Sequence, residues 1–241
     1  MAVSEIKDTF NSWPQYSMNT RLCPPKLRDE TWSKLLKNLP GPKFRNRLYL
    51  LGRMGIWSDL STDYDLIDVR PRLMDGWQLY PVWDKIPNSV FWKLLRNKYF
   101  PVNQNLRHPE VGDYCYLRDK FHDSVGHVPY LNTWVRDLLL HFAVKGLAVE
   151  GDPVRSKHIA RIYWAIIEFG MIVEEGHVRN FGAGILSSKA ESEAAFLNTN
   201  DSQRQLDYEE IINWDYDPYG IQDRHYVFED MDQIIELINK V

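Results

Sequence analysis

The sequence predicts a single, mainly α-helical domain with a minor β component. The chain has 241 residues, of which 44% are hydrophobic, and this is enough to bury one sizeable core. Apolar residues recur at three- and four-residue spacings through much of the second half, as amphipathic helices require. The sequence contains neither a repeat nor a low-complexity tract nor a linker. We therefore expect an extended lead-in over residues 1–30 and one domain over residues 31–241.

The first half is expected to contain three helices and one strand. Apolar stretches that end at proline or glycine predict helices over residues 32–39 and 44–54. Residues 76–82 are predicted to form a short strand, and residues 89–96 a helix that a following proline closes. Residues 103–118 contain proline, glycine and few helix formers, which favours a loop with short strand character.

The second half is expected to be mostly helical. Its apolar periodicity predicts four helices, over residues 119–125, 131–145, 156–169 and 189–196. The end of the chain predicts a strand over residues 226–228 and a terminal helix over residues 231–239.

Composition argues against several classes of protein. The net charge of −4 at pH 7 does not favour the basic face that a nucleic-acid-binding protein needs. With only two cysteines, Cys23 and Cys115, a disulfide framework is not expected. The N-terminus has no signal-peptide core, and the most apolar helical window, residues 159–173, is too short to span a bilayer. We predict a cytoplasmic protein with neither a nucleic-acid nor a membrane partner.

Two histidines and one glutamate carry the most specific chemical signal. His122 and His127 lie five residues apart, and Glu168 follows in an aromatic-rich apolar segment. Two imidazoles and one carboxylate can bind one face of a ferrous ion and leave its other positions open for oxygen and substrate. The pattern therefore makes the protein a candidate oxygenase.

The residues alone leave alternatives to this site. Histidines five apart point in directions about 140° apart on an α-helix, so they converge only if the backbone is irregular, and Gly126 and Pro129 could supply the irregularity. Without it, both would be ordinary helix-end or core histidines. A buried Glu168 must be paired, hydrogen-bonded or metal-bound, and Arg161, on the same helical face, is its alternative partner. The donor types are compatible with both iron and zinc.

Three motifs resemble those of the tetrahydropterin-dependent aromatic amino acid hydroxylases, most closely the compact bacterial phenylalanine hydroxylases. They are His-Asp-x-x-Gly-His-x-Pro at residues 122–129, Ile-Tyr-Trp-x-x-x-Glu-Phe-Gly at 162–170 and Phe-Gly-Ala-Gly-Ile-Leu-Ser-Ser at 181–188. The resemblance implies that fold for the catalytic domain, with an iron site within residues 107–191. It implies a monooxygenase that hydroxylates the ring of a small aromatic amino acid, phenylalanine by default. Its cofactors would be iron(II) and a tetrahydropterin, with O2 as co-substrate.

The same resemblance assigns roles to individual residues. It implies iron ligation by His122, His127 and Glu168. Tyr163 matches a residue close to the iron, and Glu191 matches a glutamate behind the ligands; we class both as catalytic.

Further positions match residues that bind substrate or cofactor. Arg107 matches the arginine that clamps the substrate carboxylate, a role suited to its bidentate guanidinium. Phe91 matches the aromatic residue that stacks on the pterin. Four other residues match positions around the amino acid, namely Trp164, Phe169, Gly184 and Ser187. Each of these residues could instead belong to the core, to a turn or to the surface.

One segment departs from the family pattern. The chain has Leu117-Arg118-Asp119 where the family typically has Glu-Pro-Asp, with the proline near the substrate ring. Arg118 could point to solvent, contact a polar group of a different substrate, or shift the ring so that another carbon faces the iron. A specialised biosynthetic hydroxylase, acting on tryptophan, tyrosine, a modified amino acid or another ring position, is therefore an alternative.

Two other classes of function are considered. A zinc-dependent hydrolase could use the same three ligands, with Asp123 or Glu174 as its general base. A non-catalytic relative could bind an amino acid or a partner. The chain has no room for the regulatory domain and tetramerisation helix of the animal enzymes, so a monomer is expected.

Overall fold

The computed structural model describes residues 75–82, 85–103, 119, 122–197 and 202–241. Several predictions lie outside these residues, namely the lead-in over residues 1–30, the helices over residues 32–39 and 44–54, and nearly all of the loop over residues 103–118.

A small parallel sheet and one helix begin the described fold. Strands β1 (Gln78–Val82) and β2 (Tyr99–Asn103) pair in parallel, and helix α1 (Asn88–Arg96) connects them. Strand β2 is absent from the sequence prediction because Pro101, which lacks an N–H, resembles a break. A proline is tolerated there because each strand has only one described neighbour in this sheet. Helix α1 buries Val90, Phe91, Trp92, Leu94 and Leu95.

In the middle of the chain, α-helices alternate with short π- and 3-10 helices. A π-helix (Asp123–His127) and a 3-10 helix (Val128–Asn132) precede helix α2 (Val135–Ala148). Helix α3 (Pro153–Tyr163) leads directly into a second π-helix (Trp164–Glu168). The predictions of regular helices over residues 119–125 and 156–169 are therefore wrong in part, since both segments change their hydrogen-bonding pattern.

A four-stranded sheet lies in the second half, in the order β4–β3–β6–β5. Strands β3 (Met171–Glu174) and β4 (His177–Asn180) form an antiparallel hairpin. Strand β6 (His225–Phe228) pairs in parallel with β3 and with β5 (Gln203–Gln205). Only β6 is expected from the sequence; most of β3 falls in the apolar window over residues 159–173, which resembles a helix.

Four further helices complete the described chain. They are α4 (Ala183–Leu186), α5 (Lys189–Leu197), α6 (Tyr208–Asn213) and α7 (Met231–Lys240). Helices α5 and α7 agree with the predictions over residues 189–196 and 231–239.

Helix α2 lies at the centre of the core. It packs against α1, α3 and α7. Its fully buried side chains include Leu138, Leu139 and Phe142. The predicted fold class, mainly α with a minor β component, is confirmed. Within the described ranges, every helix is too short or too polar to cross a membrane.

Candidate metal centre

Three side chains converge on one point in the protein interior. Nε2 of His122 lies 3.1 Å from Nε2 of His127. Oε2 of Glu168 lies 3.3 Å from each of these nitrogens. These three atoms, which we call the donor triangle, are nearly equidistant. The side chains of His127 and Glu168 are each 2% exposed, and that of His122 is 12% exposed.

The two π-helices explain how distant residues meet at this point. In the first, the Val128 N–H donates to the carbonyl oxygen of Asp123. In the second, the Phe169 N–H donates to the carbonyl oxygen of Trp164 at 3.1 Å. A π-helix hydrogen bond links residues five apart, so His122 and His127 lie one turn apart on a common face. The expected backbone irregularity is therefore present, and it is a π-helix.

A glycine-rich segment, residues 181–188, packs between the two π-helices. A Cβ on Gly126 would lie 2.7 Å from the carbonyl oxygen and 2.8 Å from the Cβ of Ala183. A Cβ on Gly182 would lie 2.2 Å from the carbonyl oxygen of Glu168. Side chains cannot occupy such distances, so these glycines allow backbone to lie directly against backbone. The segment thereby holds both ligand-bearing stretches at a fixed separation.

The glycine-rich segment also orients one imidazole. Oγ of Ser187, which follows helix α4, lies 2.8 Å from Nδ1 of His122. An Nδ1–H that donates to this hydroxyl leaves the Nε2 lone pair free for the donor triangle. The sequence places Ser187 around the amino acid, whereas in the structure it contacts His122. The ring of Phe100 packs against His127 at 5.1 Å between centroids.

The donor triangle has the dimensions of a metal site. With metal–donor distances of about 2.1 Å, donors at right angles would lie about 3.0 Å apart and donors at tetrahedral angles about 3.4 Å apart. The observed separations of 3.1 and 3.3 Å lie within this range. If each imidazole carries its proton on Nδ1, two Nε2 lone pairs and a carboxylate oxygen converge on one point, and a cation between them would stabilise this arrangement. The residues present therefore fit a metal ion.

The alternative partners of these residues are engaged elsewhere. Arg161, the alternative partner of Glu168, donates to the carbonyl oxygen of Ile212. Glu174, the second candidate base of a hydrolase, pairs with Arg179 of the neighbouring strand at 3.2 Å. Asp123 can offer a carboxylate oxygen within 4.8 Å of the histidine nitrogens. Its Oδ2 accepts the backbone N–H of Asn103 at 2.6 Å, whereas Oε2 of Glu168 lies 3.3 Å from both histidine nitrogens.

A cavity of about 230 Å³ lies near the donor triangle, although none of the three ligand side chains is among its lining residues. The cavity is lined by Asp123, which follows His122, and by Tyr163 and Trp164, which precede Glu168. Phe91 lines it as well. Phe91 is 7% exposed, and its ring packs edge-on against Tyr163 at 5.4 Å. Two residues that motif analysis did not single out, Tyr216 and Pro218, line the cavity as well.

The predicted ring-binding residues Trp164 and Phe169 contact each other. Their ring centroids are 4.9 Å apart, and the indole also stacks on Tyr216 at 4.4 Å and 15°. Phe169 is buried, and a Cβ on Gly184 would lie 2.6 Å from its ring. Gly184 therefore accommodates the Phe169 ring, which is a packing role that its motif does not reveal.

Glu191 lies in the interior and not on the helix surface. The side chains of Glu191 and His225 are fully buried, and Nε2 of His225 lies 2.8 Å from the carboxylate. The backbone N–H of Gln222 also donates to this carboxylate, at 3.1 and 3.3 Å. His225 and Gln222 are therefore parts of the site region that sequence reasoning missed, since isolated residues near the C-terminus form no recognisable motif.

Arg107 and Arg118 lie outside the described residues. Their assignments to the substrate carboxylate and to the pocket entrance stay predictions.

Comparison with known proteins identifies the family. Residues 33–241 match the family described as biopterin-dependent aromatic amino acid hydroxylase. Phenylalanine-4-hydroxylase of Chromobacterium violaceum is 33% identical over 214 residues, which cover 86% of this chain and 71% of that protein. Phenylalanine-4-hydroxylase of Ralstonia nicotianae is 30% identical over 211 residues, which cover 86% of this chain and 67% of that protein.

Solved structures agree with the sequence relatives. The Chromobacterium violaceum phenylalanine hydroxylase with bound oxidised Fe(III) superimposes with a TM-score of 0.78 at 29% identity, covering 91% of this chain and 80% of that one. A second structure of that enzyme, with iron(III) and oxidised 7,8-dihydrobiopterin, has a TM-score of 0.75 at 29% identity and covers 98% and 90% of the two chains. The predicted family, enzyme class and cofactor class are confirmed, and the chain belongs to the biopterin-dependent aromatic amino acid hydroxylases.

Proposed function

We propose that this protein hydroxylates the ring of phenylalanine, using iron(II), a tetrahydropterin and O2. The observation that carries the proposal is the buried donor triangle next to a cavity with aromatic walls. Relatives over most of the chain are phenylalanine-4-hydroxylases, which supports phenylalanine as the substrate. When bound, the iron and pterin supply the activation of oxygen and the electrons for it.

The metal ligands in this proposal are His122, His127 and Glu168. Two neutral imidazoles and one carboxylate give the ligand set a single negative charge, so the site with Fe2+ keeps a net positive charge and open positions. Ser187 holds the His122 ring with Nε2 toward the metal. The low exposure of His127 and Glu168 keeps water away from this side of the site.

The cavity residues would bind and orient the two organic molecules. Phe91 lines the cavity and would stack on the pterin, and Trp164 would supply part of the aromatic wall for the substrate ring. Arg107 would hold the substrate carboxylate. Tyr163 contributes its ring to the cavity between Phe91 and the second π-helix, and Glu191 anchors residues behind the wall.

Arg118 supports a second candidate within the same chemistry. It stands where the family typically has a proline near the substrate ring, and an extra charge there could change the ring carbon that is oxidised. Product analysis therefore has to determine the position of the new hydroxyl group.

An aerobic assay tests the proposed function directly. Iron(II)-loaded protein is incubated with a reduced pterin and with phenylalanine, tyrosine or tryptophan, and products are analysed by mass spectrometry and NMR. We expect phenylalanine to gain one oxygen atom, with stoichiometric oxidation of the pterin. Pterin oxidation without any hydroxylated amino acid would contradict the substrate assignment, and the absence of pterin oxidation would contradict the function.

We further propose that residues 31–241 form one catalytic domain preceded by an extended lead-in over residues 1–30. The match to the family over residues 33–241 supports this division. The protein would act as a monomer in the cytoplasm. Light scattering of the full chain should give the mass of one copy, and a larger mass would contradict the monomer.

A further inference from the structure

The aromatic wall of the cavity depends on a loop that is distant in sequence from every motif. Residues 214–224, here called the wall loop, connect helix α6 to strand β6. Tyr216 and Pro218 of this loop line the cavity. The Tyr216 ring stacks on the indole of Trp164 with centroids 4.4 Å apart and planes 15° apart. The position of the indole is therefore tied to the position of the loop.

Gln222 joins the loop to the indole through its side-chain amide. Its Oε1 accepts the indole N–H of Trp164 at 3.2 Å. Its Nε2 donates to the carbonyl oxygens of Asp217 at 2.7 Å and Gly220 at 2.8 Å. Gln222 is 5% exposed, so these bonds form largely away from water. The amide oxygen is therefore hydrogen-bonded to the aromatic wall, and the amide nitrogen is hydrogen-bonded to the loop backbone.

A buried contact between a carboxylate and an imidazole anchors Gln222 from the other side. Its backbone N–H donates to both carboxylate oxygens of Glu191, at 3.1 and 3.3 Å. Glu191 in turn contacts Nε2 of His225 at 2.8 Å, and both of these side chains are fully buried. Helix α5, strand β6 and the wall loop are thereby connected at Gln222.

We propose that Gln222 is a positioning residue that fixes the indole of Trp164 and, through it, the place of the substrate ring. The inference rests on the proposed function. An indole hydrogen-bonded at Nε1 and stacked on one face cannot rotate without breaking both contacts. The lateral position of the substrate ring determines which carbon faces the donor triangle. Gln222 therefore influences the hydroxylated position and the efficiency with which oxygen consumption is coupled to product.

The amide chemistry makes the proposal testable by graded substitutions. Gln222→Met keeps the length of the side chain but removes both hydrogen-bonding groups. Gln222→Glu keeps an acceptor for Trp164 but loses the amide N–H groups that hold the loop. Trp164→Phe removes the indole N–H while it retains an aromatic ring. Gln233→Met is the matched control, because Oε1 of Gln233 accepts the backbone N–H of Glu229 at the start of helix α7 and Gln233 does not line the cavity.

The experiment compares these variants as full-length, iron(II)-loaded proteins. We measure KM and kcat for phenylalanine, the position of the new hydroxyl group, and the pterin consumed per product. Phenylalanine binding is also measured by calorimetry, independently of turnover. For Gln222→Met we expect the loss of the hydrogen bond to the Trp164 indole alone to lower kcat/KM roughly tenfold, with more pterin consumed per product. Iron content should stay equal to that of the parent, and Gln222→Glu should not recover the loss, because its second carboxylate oxygen would face the carbonyl oxygens of Asp217 and Gly220.

A double-mutant cycle separates positioning from general stability. If Gln222 acts through the indole N–H, Gln222→Met should have little additional effect on kcat/KM in the Trp164→Phe background. An undiminished effect in that background, or parent-like KM, coupling and product position in Gln222→Met, would overturn the inference. If Gln222→Met fails to fold, Trp164→Phe can be used instead, because it removes the same hydrogen bond from the other partner. Coupling and product position equal to those of the parent in Trp164→Phe would also overturn the inference.

The proposed function fails in a different way. If the parent protein hydroxylates none of the aromatic amino acids, the substrate assignment is wrong whatever the variants do. If the parent is active but the Gln222 and Gln233 variants behave alike, only the inference about Gln222 is wrong.

Discussion

The donor triangle and the aromatic wall of the neighbouring cavity are built by different means. The triangle is held by backbone lying against backbone, with Gly126 on Ala183 and Gly182 on Glu168. The wall is held by side chains, through the stack of Trp164 on Tyr216 and the amide bonds of Gln222. Contacts between two backbone segments leave almost no room for an added atom, whereas contacts between side chains can be changed by substituting one residue at a time. The comparison suggests that the metal chemistry is fixed by the fold and the substrate position is adjustable.

Removal of a ligand should have the largest effect, because it breaks the triangle itself. We expect Glu168→Ala to lose stoichiometric iron and all detectable hydroxylation, since two neutral imidazoles alone bind iron(II) weakly. Iron is measured by elemental analysis after dialysis. Glu174→Ala removes a carboxylate of the same type from the nearby hairpin and should keep its iron. Retention of iron and turnover in Glu168→Ala would rule out Glu168 as a ligand.

An added methyl group tests whether the triangle depends on backbone contact. Gly126→Ala would place a Cβ 2.7 Å from the carbonyl oxygen of Ala183, so we expect about 1–3 kcal/mol less stability toward unfolding. Urea unfolding of the metal-free protein measures this loss. Gly151→Ala is the control, because nothing lies within 4 Å of a Cβ there, and it should change stability by less than about 0.5 kcal/mol. Equal stabilities of the two variants would contradict the tight packing.

Removal of the Ser187 hydroxyl, which orients His122, should lower metal affinity less than removal of a metal ligand. Ser187→Ala removes the contact to Nδ1 of His122 at 2.8 Å, and the loss of such a contact typically lowers metal affinity about 10- to 100-fold. Competition with a metal chelator measures the affinity. Ser192→Ala removes another buried hydroxyl of the same region, which donates to the carbonyl oxygen of Ile185, and it should leave the affinity unchanged. An unaltered iron affinity in Ser187→Ala would show that the His122 ring is held by other contacts.

The sequence predicts the triangle better than the wall, for a physical reason. The metal ligands lie in short motifs, because one local π-helix brings His122 next to His127. Their residue types can therefore be recognised without knowledge of the fold. Tyr216 and Gln222 reach the cavity only through the long-range docking of the wall loop, and tyrosine and glutamine are common elsewhere. Similarly, the periodicity of helices α5 and α7 is visible, whereas β2 contains Pro101 and resembles a break.

The wall should respond to substitution without loss of iron. Tyr216→Leu removes the stack on Trp164, a type of contact worth about 0.5–1.5 kcal/mol. We expect the KM for phenylalanine to rise by up to about tenfold, while iron content stays unchanged. Tyr219→Leu is the matched control in the same loop, since the Tyr219 side chain is exposed. Iron loss in Tyr216→Leu would mean that the wall and the triangle are not separate parts.

The smallest expected effect concerns the pH dependence of the wall loop. Hydrogen bonds from the Arg224 guanidinium lower the pKa of Asp223 below its ordinary value of 3.8, and the indole N–H of Trp214 donates to the same carboxylate. A lowered pKa means that the ionised form stabilises the folded state. The contribution is complete above about pH 3.8 and disappears as the pH falls through the lower folded-state value.

Asp223→Asn should therefore be less stable than the parent at pH 7. Because the group is largely exposed, the difference should not exceed about 1 kcal/mol. Thermal unfolding between pH 7 and pH 2.5 measures this, and the two proteins should converge at the acid end of the range. The variant should bind iron as the parent does, because the network lies in the wall loop and not in the triangle. A stability difference that persists unchanged at low pH would show that Asp223 acts through packing. The aromatic wall would then depend less on polar side-chain contacts than its contrast with the donor triangle implies.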